Sequence, residues 1–359
     1  MKNISSKVLW IITIVAIVGI LNSCGSGKQV KDTANLTNES EILYNYLKES
    51  GNYINQPATP AIMTASDFIQ IMDSQKIMVI DLRDSEQYAA GHVKGAVNVQ
   101  PANVQEFFRN HIDAPSFERV VFLCNRGQLS AYVSGVMRLL GNSNTWAVRF
   151  GMSSLDSAMA KGWDGVIGNH PEAITDTANV ALPAKGSLPI VATGGTSAYA
   201  IAAIQAGKLL AEDSKEFLIE YAEVMKNPEA YHIVAYVAPE HYNKSGHLPG
   251  AVRFTPKKSF DLNAELLTLP ADKPIVVYCF NGHHSAQATA YLRMLGYDAR
   301  SLMFGGNAFM HDFLMKNDAG TPRYWSELQK NNVKLVSSGA SAATGDNKKT
   351  EVKKAAGGC

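Results

Sequence analysis

The chain has few of the features by which several protein classes are recognised. It contains only four cysteines in 359 residues, at positions 24, 124, 279 and 359, which is too few for a disulfide framework. Its formal net charge of +1 gives no electrostatic reason to expect nucleic acid as a partner. With 46% hydrophobic and 18% charged residues, the composition is that of an ordinary globular protein. The length suffices for two domains of ordinary size.

The N-terminal apolar run has the length of a signal peptide. After a positively charged start, residues 8–21 form a run of fourteen residues, whereas a membrane-spanning helix needs about 20. The run leads into the letters L-N-S-C, which resemble a bacterial lipobox and predict lipidation of Cys24. An uncleaved anchor helix is the alternative. In both cases we expect the folded part to lie outside the cytoplasm at a membrane, and the lipoprotein would face the periplasm.

Two parts of the chain repeat each other at a fixed distance. One apolar run ends on Cys124 and another on Cys279, and each is followed by a loop of the pattern C-x-x-G-x-x-S. Upstream of each loop stands G-H-x-x-G-A, beginning at Gly91 and at Gly246. The cysteines differ by 279 − 124 = 155 positions and the glycines by 246 − 91 = 155. Matched positions at one offset indicate a domain that has been duplicated.

Strand patterns alternate with helical patterns in both copies. This predicts an α/β fold in which each copy forms a mostly parallel sheet with helices on both faces. In the second copy the pattern predicts a helix over 216–225, and Gly194-Gly195 is interpreted as a helix cap rather than a phosphate site. The predicted boundaries are a signal peptide at 1–24, a tether with a short helix at 25–60, a first domain at 61–165, a linker with a helix at 166–213, a second domain at 214–330 and a disordered tail at 331–359.

Each repeated cysteine is expected at the carboxyl end of a central parallel strand, where open α/β sheets bind their ligands. The loop after it must curl into a helix, so that its N–H groups converge on one point and the helix dipole adds positive potential. These effects favour a thiolate and an anionic substrate. Gly127 and Gly282 permit the tight turn, and Ser130 and Ser285 are predicted to cap the helices. Two buried core cysteines are the alternative, which the duplicated pattern disfavours.

The letters D-L-R, E-Q-Y and G-H-V-K-G-A-V-N-V, followed by the C-x-x-G-x-x-S loop, resemble the rhodanese (sulfurtransferase) family, and the pair of copies resembles a tandem rhodanese. The resemblance implies a cysteine that takes a sulfane sulfur from a donor such as thiosulfate and passes it to cyanide or another thiol. It implies no metal and no organic cofactor. The nucleophiles would be Cys124 and Cys279. The residues implied to bind the substrate are Asn125, Arg126, Gly127, Gln128, Leu129, Ser130, Phe280, Asn281, Gly282, His283, His284 and Ser285.

Related phosphatases use a similar cradle with an arginine near the end of the loop. The corresponding positions here hold Leu129 and Ser130 in the first copy, and His284 and Ser285 in the second. The bidentate phosphate ligand is therefore missing from both loops. This favours sulfur over phosphate as the transferred group.

The two loops are not identical. Arg126, which stands where the second copy has Asn281, either binds an anionic donor or points into solvent. His283 and His284 flank the second cysteine, either as partners of its thiolate or as exposed loop histidines. A metal site that joins Cys279 to these histidines lacks further ligands.

A charged pair is predicted beside the first loop. Asp81 and Arg83 lie on one side of their strand and are expected to form an ion pair. Their equivalents in the second copy are Ala235 and Val237, which cannot do so.

Three further residues have two interpretations each. His92 and His247 are interpreted as turn-stabilising rather than catalytic. Cys359, on the flexible tail, is either a sulfur relay or a stray thiol.

Two functions other than sulfur transfer stay open at this point. One is a catalytically silent rhodanese-like binding or sensor module. The other is a thiol redox switch that uses Cys124 and Cys279. The expected partners are a small sulfur donor, a thiol or cyanide acceptor and a membrane through the N-terminal lipid, with no nucleic acid.

Overall fold

The computed structural model describes residues 38–174, 179–317 and 322–338. The signal segment with Cys24, most of the tether, and the tail with Cys359 lie outside these residues, so the predictions for them stay predictions. Within the described ranges, no helix is both long enough and apolar enough to cross a membrane.

The first domain contains a five-stranded parallel sheet. Its strands are β1 (Ile62–Met63), β2 (Ile77–Asp81), β3 (Val97–Asn98), β4 (Arg119–Leu123) and β5 (Thr145–Val148). They lie in the order β1-β5-β4-β2-β3, and all their pairings are parallel. The central strand β4 is fully buried over Val120 to Leu123, as expected for a parallel strand covered on both faces. The sheet therefore places Cys124 at the end of its central strand.

The second domain repeats this sheet strand for strand. Its strands are β6 (Leu218–Ile219), β7 (His232–Tyr236), β8 (Val252–Phe254), β9 (Ile275–Tyr278) and β10 (Ala299–Leu302). They lie in the order β6-β10-β9-β7-β8, again with parallel pairings only. The central strand β9 leads into Cys279. The predicted fold class, two mostly parallel sheets with helices around them, is confirmed.

Helices and short 3-10 turns connect the strands. The helices in the described residues are α1 (Ser40–Glu49), α2 (Ala65–Ile71), α3 (Ser85–Ala90), α4 (Val104–Asn110), α5 (Gln128–Leu139), α6 (Met152–Leu155), α7 (Lys161–Asp164), α8 (Ala198–Ala211), α9 (Tyr221–Lys226), α10 (Pro239–Ser245), α11 (His283–Met294) and α12 (His311–Asn317). Helices α5 and α11 start directly after the two cysteine loops and pack against each other. The two copies thus meet along the helices that follow their cysteines.

This helix contact is close and partly polar. An added Cβ on Gly135 of α5 would lie 3.2 Å from the Cα of Gln287 on α11, so a glycine permits the close approach of the helices. The buried Gln287 amide donates to Ser134 Oγ (3.1 Å) and accepts from the Tyr53 hydroxyl (2.7 Å). Its polar atoms are therefore satisfied across the interface between the copies.

The predicted helix over 216–225 is wrong in its first half. A 3-10 turn ends at Glu216, the short strand β6 follows, and only then does α9 begin at Tyr221. The backbone carbonyls of Phe217 and Ile219 accept hydrogen bonds of 2.7 and 2.8 Å from Ser301 and Met303 at β10. Pairing at the edge of the sheet therefore overrides the local helical pattern.

The expected disordered tail from residue 331 is also wrong for residues 331–338, which return to the first domain. The backbone N–H of Val333 donates to the carbonyl of Leu155 (2.8 Å). Val336 and His92 exchange two backbone hydrogen bonds of 2.9 Å each. A short extended segment after the second domain is thus fixed on the surface of the first.

The loop that contains Gly194 binds the carboxylate of Glu39. The Glu39 carboxylate accepts hydrogen bonds from Thr193 N (2.6 Å), Thr193 Oγ1 (2.6 Å) and Gly194 N (2.9 Å). The cap of α8 is not Gly194-Gly195 but Ser197, whose hydroxyl accepts from Ala200 N at 3.2 Å. The loop therefore ties the linker to the residue before α1.

Candidate active site

The sulfur of Cys124 lies in a cradle formed by the loop that follows it. Its Sγ accepts backbone hydrogen bonds from Gly127 (3.1 Å) and Ser130 (3.3 Å), and the thiol donates to Ser130 Oγ (3.4 Å). Gly127 has a φ of +87° and is the N-cap of α5, so the loop turns back onto the sulfur. Converging N–H groups at the start of a twelve-residue helix stabilise negative charge on this atom. This is the arrangement that the sequence predicts for a reactive thiolate.

The prediction that Ser130 and Ser285 are N-caps is wrong. The left-handed glycines Gly127 and Gly282 are the N-caps, so each serine falls inside the first helical turn. The Ser130 hydroxyl donates to the Gly127 carbonyl (3.0 Å), and Ser285 Oγ pairs with Ser301 Oγ (2.8 Å). Only the first serine places its oxygen within hydrogen-bond distance of a cysteine in the described structure.

Cys124 opens into a cavity of about 660 Å³. Its charged lining residues are Arg83, Asp84, Arg126 and Lys161. Its apolar wall includes Leu82, Leu129, Met159, Leu218 and Met303. Because Leu218 and Met303 belong to the second domain, both copies form the cavity. Arg126 is exposed, lines the cavity and lies over the Phe304 ring at 5.4 Å, so both of its interpretations, contact with an anionic donor and exposure to solvent, stay predictions.

The predicted pair of Asp81 and Arg83 is confirmed. Arg83 Nη2 lies 2.6 Å from Asp81 Oδ2, Arg83 Nε contacts both carboxylate oxygens, and both side chains are buried. Arg83 Nη2 also donates to the Gly91 carbonyl (2.7 Å). The guanidinium is therefore committed to the wall of the cavity, and the cations free to meet an anion there are Arg126 and Lys161.

The cradle around Cys279 is less complete. In the described structure its Sγ accepts one backbone hydrogen bond, from Ser285 (3.4 Å), and lies 3.8 Å from Asn281 Oδ1. The same amide oxygen accepts the His283 N–H at 3.3 Å. A side chain of the loop itself thus takes one of the N–H groups at the start of α11, and the second cradle is partly filled.

The cavity at Cys279 is about half as large, about 320 Å³. Its lining residues in the described structure include no carboxylate and two arginines, Arg149 and Arg323. The Arg323 guanidinium lies 4.3 Å above the Phe280 ring. Pro60, Ile62 and Arg149 come from the first domain, so this cavity too is formed by both copies.

His284 faces the second cavity without carrying a charge. Its ring contacts Tyr236 edge-to-face at 4.7 Å, and its Nε2 makes no hydrogen bond within the described residues. Burial, followed by the charges of Lys257 and Arg323, lowers the pKa of His284 to about 3. A neutral imidazole cannot form the ion pair that the sequence suggested with the Cys279 thiolate. The ring is also not an exposed loop histidine.

The prediction that His283 faces Cys279 is wrong, because its side chain enters the first domain. It is fully buried, and its Nε2 accepts a hydrogen bond from Phe150 N at 3.0 Å. Its ring stacks on Trp163 with 5.9 Å between the centroids. Burial, followed by the charge of Arg149, lowers the pKa of His283 to about 3. The imidazole is therefore neutral near pH 7 and serves as an acceptor.

Gln128 makes the reciprocal contact. It follows Cys124 by four positions, as His283 follows Cys279, and its Oε1 accepts from Phe304 N at 2.8 Å. Its Nε2 lies 3.3 Å from the Leu302 carbonyl and 3.4 Å from the Gly282 carbonyl. The sequence signal for these crossed contacts was a polar residue four positions after the cysteine in both copies.

The twelve residues that the sequence predicts to bind the substrate divide into two groups. Those that line a cavity are Asn125, Arg126, Gln128, Leu129, Phe280, Asn281 and His284. Those that lie behind the sulfur or in the contact between the copies are Gly127, Ser130, Gly282, His283 and Ser285. No group of three or more potential ligands for a metal ion occurs in the part of the chain that the structure describes.

The turn-stabilising roles of His92 and His247 agree with the structure. His92 stacks on Tyr88 at 3.7 Å, and its Nδ1 lies 2.7 Å from the Tyr88 carbonyl. His247 stacks on Tyr242 at 4.3 Å. Both histidines therefore fix the turns before β3 and β8.

Comparison with known proteins gives a consistent result. The family model described as "Rhodanese-like domain" matches residues 64–158 and 219–311, which is more than half of the chain. A thiosulfate sulfurtransferase GlpE from Pseudomonas fluorescens is 32% identical over 80 residues, 22% of this chain and 70% of the relative. A thiosulfate sulfurtransferase from Pseudomonas aeruginosa is 24% identical over 266 residues, 66% of this chain and 91% of the relative. Among solved structures, SseA from Escherichia coli, described with the 3-mercaptopyruvate sulfotransferases, is 16% identical, covers 68% of this chain and 98% of its own, and has a TM-score of 0.26.

Proposed function

The chain belongs to the rhodanese-like domain family, and on that premise we propose that it is a sulfurtransferase that forms a persulfide on Cys124. The sulfur would come from a donor such as thiosulfate and go to cyanide or a thiol. The names of its relatives support the general class of activity. The observation that carries the proposal is the cradle of Cys124, in which Gly127 N (3.1 Å) and Ser130 N (3.3 Å) point at the sulfur.

The proposed reaction has two displacement steps. The Cys124 thiolate attacks the sulfane sulfur of thiosulfate, a new S–S bond forms, and sulfite leaves with the electron pair of the bond that breaks. The persulfide anion then loses its terminal sulfur to cyanide, which gives thiocyanate and returns the thiolate. Both forms of the cysteine are anions, so one set of N–H groups stabilises the thiolate and the persulfide alike. No redox partner or metal ion is needed to balance either step.

The cavity supports an anionic donor. Arg126 and Lys161 line its wall beside the cysteine, and Asp84 is the one carboxylate among its described lining residues. A pair of cations in a concave site raises the local concentration of anions such as thiosulfate. Arg126 is the better placed for direct contact, since it belongs to the cysteine loop itself.

Cys279 is proposed as a second and weaker nucleophile. Its sulfur accepts fewer hydrogen bonds in the described structure, its cavity is smaller, and Asn281 Oδ1 lies 3.8 Å from it. An amide oxygen beside a thiolate or persulfide does not stabilise its negative charge. The location proposed for the protein, at the periplasmic face of a membrane through a lipid on Cys24, is independent of this assignment.

The test compares the parent protein with Cys124→Ser and Cys279→Ser in thiosulfate-to-cyanide transfer, measured as thiocyanate. We expect Cys124→Ser to lose at least about 100-fold in kcat/KM and Cys279→Ser to stay within about threefold of the parent. Mass spectrometry after thiosulfate treatment should show about 32 Da added to the Cys124 peptide. The reverse ranking of the two variants would move the reaction to Cys279.

Two other outcomes would overturn the proposal. If the parent neither transfers sulfur nor gains a persulfide with thiosulfate or a low-molecular-weight persulfide, a silent binding or sensor module becomes the better description. If oxidation joins the Cys124 and Cys279 peptides with the loss of two protons and no sulfur is added, the protein is a thiol redox switch.

A further inference from the structure

The residue four positions after each cysteine supports a turn in the opposite copy. His283 binds the N–H of Phe150, and Gln128 binds the N–H of Phe304. Phe150 and Phe304 have φ values of +64° and +63° and are each followed by a glycine of positive φ. Both turns thus have a left-handed backbone that one acceptor from the other copy holds in place.

The turn at Phe150 lies directly behind the loop of the first cysteine. The backbone of Gly151 is so close that a Cβ there would overlap the carbonyl oxygen of Cys124 and the backbone nitrogen of Gly127. The N–H of Met152 donates to the same carbonyl at 2.9 Å. The position of this turn therefore determines where Gly127 N–H points, and Gly127 N–H is the shorter of the two backbone hydrogen bonds to the sulfur.

The His283 ring is packed between aromatic side chains. It lies flat on Trp163, with 7° between the ring planes, and meets the edge of Phe150. Trp163 in turn donates its Nε1–H to the Arg126 carbonyl at 3.2 Å. A Cβ on Gly127 would overlap the His283 ring, so the imidazole also packs against the loop glycine. The imidazole therefore packs against the first cysteine loop and accepts a hydrogen bond from the turn behind that loop.

We infer that His283, a residue of the second copy, is a positioning residue for Cys124 in the first, because it holds the Phe150–Gly151 turn that supports the Cys124 cradle. Gln128 makes the equivalent hydrogen bond to the Phe304–Gly305 turn behind Cys279. The inference uses the proposed function only to name Cys124 as the reactive thiol. A reagent that reacts with any thiolate can therefore test it.

The test replaces His283 in two ways, in a Cys279→Ser background. His283→Gln introduces the side chain that the first copy uses at the equivalent position, with an oxygen that can accept from Phe150 N. His283→Leu fills the buried site with an apolar side chain and removes the hydrogen-bond acceptor. The rate of alkylation of Cys124 by iodoacetamide is followed on its own peptide by mass spectrometry, as a function of pH, beside kcat and KM for thiosulfate.

We expect His283→Leu to slow alkylation at neutral pH by about tenfold, because a buried N–H loses its partner and the turn shifts. The midpoint of the pH dependence should rise, and kcat should fall with little change in KM. His283→Gln should restore the rate to within about threefold of the parent. Gln287→Leu, which removes a buried polar contact elsewhere between α5 and α11, serves as the control for a loosened interface.

Two results would overturn the inference. One is that His283→Leu and His283→Gln react like the parent. The other is that Gln287→Leu slows Cys124 as much as His283→Leu does, which would mean that the interface acts only as a general scaffold. A protein that alkylates as expected but fails to transfer sulfur would contradict the proposed function and leave the positioning role intact.

Discussion

At position 126 the first loop carries a guanidinium, whereas the second loop carries the amide of Asn281 at the equivalent place. Arg126 lines the cavity at Cys124 and adds positive charge there, whereas Asn281 turns its oxygen toward the start of α11. The two similar loops therefore differ in charge and in hydrogen bonding at this position.

Replacing Arg126 by alanine should weaken the binding of an anionic donor. We expect the KM for thiosulfate to rise about tenfold with kcat within about twofold, because a charge-assisted contact formed before the reaction is lost. Steady-state kinetics in the Cys279→Ser background at low and high salt would measure it, and added salt should reduce the difference. Arg109→Ala, at an exposed arginine of α4, is the control. A fall in kcat with unchanged KM would contradict a binding role.

The cradle around Cys124 was predictable from the sequence, whereas the direction of the His283 side chain was not. The spacing of cysteine, glycine and serine determines a local curl, so Cys124 and Gly127 lie as expected. The side chain at 283 is oriented by the packing of one copy on the other, about which a local motif carries no information. Its pairing with Gln128 at the same offset was the available sign, since polar residues that recur at buried positions have partners to satisfy.

At the scale of elements, the end of β2 distinguishes the two sheets. The first sheet ends this strand in a buried ion pair, and the second has Ala235 and Val237 at the equivalent places. A buried pair contributes little net stability when both partners are present, but the loss of one partner leaves a buried charge without its counterion.

We therefore expect Asp81→Ala to lower the free energy of unfolding by about 3–5 kcal/mol, because Arg83 would remain buried without its carboxylate. The double variant Asp81→Ala/Arg83→Val, which copies the second domain, should recover a large part of this loss. Urea unfolding followed by tryptophan fluorescence would measure both. Equal destabilisation by the single and double variants would show that the carboxylate acts through contacts other than the pair.

Element prediction succeeded for the long apolar strands and failed for β1 and β6, which are short. β4 and β9 lie in continuous apolar runs, which single out buried parallel strands. β1 and β6 have two residues each, too few for any periodicity, and β6 exists because β10 offers it a partner. The returning segment at 331–338 was missed for the same reason, since its order comes from pairing with His92 and not from its own composition.

At the scale of the whole molecule, segments at both ends of the described chain tie the two copies together. Helix α1 precedes the first domain, yet Lys48 forms an ion pair of 3.1 Å with Asp261 of the second. Glu39, just before α1, joins it to the linker through Thr193 and Gly194. The two copies therefore belong to one compact unit and are not separate domains joined by a linker alone.

The Glu39 contact predicts a dependence of stability on pH. The hydrogen bond from the Thr193 hydroxyl lowers the pKa of Glu39 below its ordinary value of 4.5. A carboxyl whose pKa is lower in the folded state contributes stability above the unfolded pKa, and this contribution is lost as pH falls through the folded pKa. Glu39→Gln should therefore lower the melting temperature by a few degrees at pH 7, and the difference from the parent should shrink below pH 4.5.

Glu49→Gln is the control, because it removes an exposed carboxylate from the other end of the same helix. Scanning calorimetry of both variants and the parent across this pH range would decide the matter. A Glu39→Gln deficit that stays constant from pH 7 to acid would show that the charge of this carboxyl is irrelevant.

The crossing of His283 and Gln128 between the copies also constrains how a duplicated protein can diverge. In a lone domain, the residue after a cysteine loop can mutate with consequences for that domain only. Here a mutation at 283 alters the surroundings of Phe150, and one at 128 alters those of Phe304. A mutation in one copy therefore affects the structure of the other. Replacing either copy by the domain of another rhodanese-like protein would remove a side chain that the other copy uses.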